Sequence, residues 1–147
     1  MNGNKNLGKY VDEIYNKWVS ETEIWKCDFL AEQLRYEGDK RTNKEVIKSA
    51  IRNILEGVDN INEENIMDYV HGWADANTEI RTTEIFRLYS INAYAFTYIE
   101  EAKGEFGEAE DIIQQLQWGL FKSLFDFAYF VLSEYMRMIK EEKIKEV

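Results

Sequence analysis

The chain has no proline, one cysteine and one histidine in 147 residues. Each scarcity excludes something. Without proline, and with only eight glycines, little interrupts helices. Cys27 alone cannot close an intrachain disulfide and has no partner for a zinc knuckle, so a reducing cytoplasm is the expected compartment. One histidine cannot furnish a helical di-iron site, which takes a histidine from each of two helices. The opening MNGNKNLGKY lacks the basic and then apolar order of a secretory signal, and no run approaches the ~20 apolar residues that cross a bilayer. The richest stretch, Trp118 to Leu132, is short and broken by Lys122 and Asp126. It reads as a helix buried in protein, with an amphipathic interfacial helix as the other option. No glycine-rich phosphate loop or nucleophile elbow occurs.

What is present points to one all-α domain. A chain of 17.5 kDa with 45% hydrophobic residues can bury a real core, and two domains do not fit that length. Leu7, Tyr10, Val11, Ile14, Tyr15, Trp18 and Val19 recur at three- and four-residue steps from about Asn6, and the pattern runs on through Trp25, Phe29 and Leu34. Ser20 to Glu23 either opens a second helix as a capping box or lies inside one long helix. Thr42 and Glu45 form a capping box for the next helix, whose stripe is Val46, Ile47, Ala50, Ile51, Ile54 and Leu55. Gly57 is expected to end it in the left-handed conformation. Asn62 is the next expected cap, with Glu63 and Glu64 at the positive end of the helix dipole, and Ile66, Tyr69, Val70 and Trp73 face inward.

The polar stretch Asp75 to Thr78 suggests a turn or kink. Thr82 or Thr83 then caps a helix carrying Ile85, Phe86, Tyr89, Ala93, Phe96 and Ile99. The last and longest helix runs from about Glu108 with a wide apolar arc from Ile112 to Ile139. The expected architecture is a single-domain helical bundle over residues 1–147, with about five to six helices and a long C-terminal one.

Charge is placed unevenly. Twenty-eight acids against 18 bases give −10 and oppose binding to nucleic acid phosphates or anionic membranes. Residues 1–57 carry ten of each sign, residues 58–134 carry fifteen acids and four bases, and residues 135–147 carry three acids and four bases. The excess therefore sits in one contiguous stretch. Its acids are Asp59, Glu63, Glu64, Asp68, Asp75, Glu79, Glu84, Glu100, Glu101, Glu105, Glu108, Glu110 and Asp111, followed by Asp126 and Glu134. One account is that they serve helix dipoles and solubility. The other is that they face a basic partner. At one phosphate charge per ~1.7 Å of duplex axis, the net charge of that stretch matches roughly 19 Å of DNA. That length occupies part of a nuclease groove.

Catalytic constellations are thin. His71 has Asp68 and Asp75 on its helix face, a spacing that could orient an imidazole but that is commonly plain hydrogen bonding. Glu105, Glu108 and Asp111 have a spacing that could hold magnesium, but Gly107 interrupts the helix and no second acidic pair faces them. No metal or cofactor is expected. Cys27, between Lys26 and Asp28, reads as a small core residue. Most of the twenty-one aromatic residues fall at core spacing, whereas Tyr94, Tyr98, Tyr129 and Phe130 lie off the main stripes and could join two subunits.

The run Ile66-Met67-Asp68-Tyr69-Val70-His71-Gly72-Trp73-Ala74-Asp75, followed by Glu84-Ile85-Phe86, resembles a pattern of the Ocr-like phage antirestriction family: aliphatic, Asp, aliphatic, His-x-x-Ala-Asp, then acidic-Ile-Phe. The apolar rhythm of Ile112 to Tyr135 is similar to that family's last long helix. The resemblance covers about residues 59–136, between the charge-neutral residues 1–57 and a charged tail at 137–147. It implies an all-helical, often dimeric protein whose carboxylates imitate DNA phosphates and block a host defence nuclease, with His71, Ala74 and Asp75 as structural residues at a helix end. This chain is much less acidic than that family, and its end, KEEKIKEV, is mixed in sign where the family's is acidic.

The resulting expectation is a non-enzymatic anti-defence protein acting in the host bacterial cytoplasm as a homodimer. Its partner would be a restriction or CRISPR effector, without direct nucleic acid or membrane binding. The alternative is a non-catalytic helical phage adaptor or assembly protein that binds another protein through an aromatic surface. A small metal-dependent nucleotide hydrolase is a third possibility.

Overall fold

The computed structural model describes residues 6–36, 38–82 and 112–146, and within them it contains five α-helices and no strand. They are α1 (Gly8–Glu21), α2 (Ile24–Leu34), α3 (Asn43–Glu56), α4 (Ile66–Thr82) and α5 (Ile112–Glu146). The chain is an all-α bundle with a long C-terminal helix, as its periodicity predicts. At 35 residues, α5 is about 52 Å long, and each of the other four helices contributes a face to it.

The predicted stripes are the core. Val11, Ile14 and Trp18 of α1, Val46, Ile47, Ala50, Ile51, Ile54 and Leu55 of α3, and Leu124, Phe127, Ala128, Val131 and Leu132 of α5 are buried together. Helix α1 runs antiparallel to α5. Lys9 pairs with Glu142 at 2.6 Å and Lys17 with Glu134 at 3.0 Å, while Tyr10 meets Tyr135 and Trp18 meets Phe127 edge-on at 5.2 Å. Helix α2 is tied to α5 by buried Gln33, whose Nε2 donates to the Leu120 carbonyl at 3.1 Å.

The connections show where local signals held and where they did not. Between α1 and α2 the chain breaks at Thr22, but Ser20 donates back to the Lys17 carbonyl and caps nothing. Thr42 does cap α3, accepting from the Glu45 N–H at 3.2 Å. Gly57 ends α3 at φ −85°, ordinary right-handed backbone, so the left-handed expectation is wrong there. Left-handed backbone falls instead at Gly38 (φ 81°), between α2 and α3, and at Asn60 (φ 52°), between α3 and α4. In the first of these loops, the Arg41 guanidinium and amide on Asp39 hold its carboxyl down at about 2.

The turn expected over Asp75 to Thr78 does not form, and α4 continues through it to Thr82. The reason is local. Asn77 Nδ2 donates to the Trp73 carbonyl at 2.9 Å and Thr78 Oγ1 to the Ala74 carbonyl at 2.7 Å. Both polar side chains bond back to carbonyls one turn earlier, so their polar groups are satisfied without the chain leaving the helix.

Candidate functional site

The acids assigned to partner binding can be followed at Asp59, Glu63, Glu64, Asp68, Asp75 and Glu79, all of which are exposed. Glu84, Glu100, Glu101, Glu105, Glu108, Glu110 and Asp111 lie outside the described residues, as do Tyr94, Tyr98 and the suggested Glu105/Glu108/Asp111 metal cluster.

Helix geometry sets the arrangement on α4. At 3.6 residues per turn, Asp68, Asp75 and Glu79 fall within about 40° of one another. Their common direction is about 160° from that of Ile66, Val70 and Ala74. Those three are buried, at 6%, 0% and 0% exposure. The face that packs on α5 therefore fixes the acids on the opposite side, in a row about 16 Å long. Trp73, on the flank, tilts against Phe127 of α5 at 5.9 Å, and its Nε1 donates to Asn53 of α3 at 3.3 Å. These contacts set the rotation of α4 and with it the direction of the carboxylates.

The segment before α4 carries further exposed acids. Asn62 Oδ1 accepts from the N–H groups of Glu64 and Asn65 at 2.9 and 3.0 Å, which is the predicted cap. The Tyr69 hydroxyl reaches back from α4, donating to the Asp59 carbonyl at 3.1 Å and accepting from its N–H at 3.4 Å. Asp59 and Glu64 are thus held beside the helix start by specific hydrogen bonds.

Electrostatic compensation separates these acids. Lys140 of α5 lies 3.4 Å from Glu63 and neutralises it. Among the described residues no ion pair reaches Asp59, Glu64, Asp68 or Asp75. Five of the ten bases of the first 57 residues are engaged elsewhere: Lys9 with Glu142, Lys17 with Glu134, Arg41 with Asp39, Lys48 with Asp12 and Arg52 with Glu56. Among the described residues these bases balance the front of the chain and the distal half of α5, and none of them pairs with Asp68 or Asp75.

Of the three structural residues implied by the resemblance, Ala74 is fully buried, whereas His71 and Asp75 are exposed. Since α4 continues to Thr82, they stand inside the helix and not at its end. The His71 ring lies edge-on to Phe125 at 5.1 Å and tilted over Phe121 at 6.2 Å. Among the described residues nothing joins it to Asp68 or Asp75 by a hydrogen bond or ion pair, so the spacing does not assemble an acid–base pair. Burial pushes the Cys27 thiol up, the charge of Asp28 adds to the effect, and the Trp18 indole works the other way. The balance keeps the thiol protonated and poorly nucleophilic at neutral pH. Among the described residues no group of three His, Cys, Asp or Glu could hold a metal ion. No helix there is long and apolar enough to cross a membrane.

Three features escaped the sequence. The Lys140–Glu63 pair joins residues 77 positions apart, and no local pattern announces it. Ile24, at the start of α2, is 80% exposed. Gly72 sits on the acidic face of α4 with open space around it. The chain matches no family model, no curated protein and no solved structure.

Proposed function

We propose that this chain is a non-enzymatic anti-defence protein of phage or mobile-element origin. Its acidic face occupies a basic, nucleic-acid-binding site on a bacterial restriction or CRISPR nuclease, in the host cytoplasm. The observation that carries the proposal is the row on α4: Asp68 and Asp75 project opposite a fully packed face and have no ion pair among the described residues. Carboxylates serving only helix dipoles would cluster in first turns, and Asp75 and Glu79 lie in the body of the helix. The likeness of residues 59–136 to the Ocr-like family points the same way. Opposite potentials would accelerate encounter with the basic site and make the complex salt-sensitive.

The test reverses Glu64, Asp68, Asp75 and Glu79 to lysine together and leaves out Glu63, whose charge Lys140 already offsets. These side chains are exposed, so the variant should fold. In pull-downs from bacterial lysate, the unaltered chain should capture a nucleic-acid-binding defence protein at low salt and release it at high salt, and should compete with DNA for it. The reversed variant should do neither. The aromatic-adaptor reading is favoured by Tyr129, which is 48% exposed. It takes precedence if the lysine variant binds unchanged and Tyr129→Ala abolishes binding.

A further inference from the structure

A groove of about 590 Å³ opens where the start of α1, the α3–α4 connection and the distal end of α5 meet. Its deeper lining is apolar: Tyr10 and Tyr135, edge-on at 5.2 Å, with Val58, Ile61 and Ile139. Its rim is polar and carries Asn6, Lys9, Asn60, Glu142 and Lys143. Both oxygens of Glu142 are taken, one by the Lys9 ammonium at 2.6 Å and the other by the Tyr10 hydroxyl at 2.5 Å. Burial first, and then the Glu142 carboxylate, push the Tyr10 hydroxyl up, so it remains a donor at neutral pH. Asn6 Oδ1 accepts from the Gly8 N–H at 3.3 Å, and its amide nitrogen has no partner among the described residues. Asn60 stands in left-handed backbone at φ 52°, its carbonyl held by the side chains of Asn62 and Asn65. Among the described residues its own side-chain amide has no partner, and no ion pair reaches Lys143.

We propose that this groove binds a small organic monoanion, a flat apolar body bearing one carboxylate or sulfonate, with the body on the Tyr10–Tyr135 floor and the anion at Lys143 and Asn60. The hydrogen-bonding inventory decides the sign of the charge. Glu142, the one acid in the lining, is spent on two donors, while the Lys143 ammonium and the amides of Asn6 and Asn60 are unspent. The groove therefore answers an anion and has no free carboxylate for a cation. The surrounding charge decides its number. Glu13 acts on Lys9 and Tyr10 from outside the lining, and the whole chain carries −10, so one free lysine offsets a single negative charge and a multiply charged anion is repelled. The volume falls in the ~300–1,000 Å³ range of small-molecule sites, which combine an apolar lining with a few polar groups. Backbone conformation singles out the same residue. Left-handed backbone suits glycine, and a residue with a side chain held there costs energy of the kind that gathers at ligand sites. Asn60 meets that conformation with an amide that no described residue uses, which leaves it for a ligand.

The groove stands apart from the proposed function and is tested on the full chain without a nuclease. The probe is anilinonaphthalene sulfonate, a flat monoanion, titrated by fluorescence beside phenylnaphthylamine, which has the same rings without the sulfonate. The sulfonate should bind saturably, about tenfold more tightly than the uncharged amine, because a charge-assisted contact is gained. Amide shifts in a nitrogen–proton correlation spectrum should centre on Asn6, Asn60 and Lys143. Lys143→Glu and, separately, Asn60→Gly should each weaken the sulfonate by about tenfold and leave the amine within about twofold. Both positions are exposed and glycine accepts left-handed backbone without strain, so both variants should keep the parent's far-ultraviolet circular dichroism. Absence of saturable binding, equal affinity for the two probes, shifts centred elsewhere on the molecule, or a sulfonate affinity unchanged in both folded variants would each overturn the proposal.

Discussion

Gly72 stands mid-way along α4, on the side that carries Asp68 and Asp75, and a Cβ built on it would meet nothing within 4 Å. Folding does not ask for a glycine here. In a helix interior glycine costs about 0.5–1 kcal/mol relative to alanine, through the larger freedom of the unfolded chain. Gly72→Ala should therefore stabilise the protein by that amount, read as an increased midpoint in denaturant unfolding without a change in slope. A loss of stability would mean that the solvent side of α4 is packed in solution. Two residues on, Ala74 has no exposure at all, because its side of the helix faces α5. The sequence shows both residues as small. Only the rotation of α4, set by Ile66, Val70 and Trp73 against the bundle, distinguishes a position where size is free from one where it is not.

At the scale of helices, the stripes were legible because apolar residues at three- and four-residue steps have only one way to be buried together. The α3 stripe, from Val46 to Leu55, is buried as its spacing predicts. The errors came where side chains met backbone. Asp75 to Thr78 has a turn-like composition, yet Asn77 and Thr78 spend their polar groups on the helix itself. Long-range pairing was equally hidden: Lys17 and Glu134 are 117 residues apart and form the α1–α5 seam with Arg137. Burial alone would push the Glu134 carboxyl up, but hydrogen bonds from Lys17 and Arg137 outweigh it and hold the carboxyl below its usual value. A carboxyl depressed in the folded state stabilises the protein above its unfolded pKa, and the contribution fades as pH falls through the lower folded value. Glu134→Gln should thus cost about 1 kcal/mol at neutral pH. The gap to the parent should close below about pH 4. Urea unfolding of both proteins at neutral and acid pH measures it, and an equal gap at both would show that the seam draws no stability from this charge.

Across the whole molecule, the acid count of the candidate face could be read in the sequence, but its effective charge could not, since that depends on which bases fold back onto it. Lys140 does so at Glu63, while Lys9, Lys17, Lys48 and Arg52 of α1 and α3 are engaged by Glu142, Glu134, Asp12 and Glu56. The fold therefore carries a strip of like charge held in place by the packing of α4, and that strip must oppose folding whatever it recognises under the proposed function. Net charge far from zero destabilises the compact state by self-repulsion. Between about 0.01 M and 0.15 M ionic strength the Debye length falls from ~30 to ~8 Å, enough to screen acids spaced along one helix. The same change weakens exposed ion pairs, each worth only about 0–1 kcal/mol, so the two effects compete and the net charge of −10 decides the sign. The melting temperature should rise with salt over this range. Reversing Glu64, Asp68, Asp75 and Glu79 to lysine takes the net charge from −10 to −2. The reversed variant should melt higher than the parent at low salt and lose most of the salt dependence. A parent that melts lower as salt is added would show that ion pairs such as Lys9–Glu142 outweigh the repulsion, and that the acidic strip is too well compensated to act as a field.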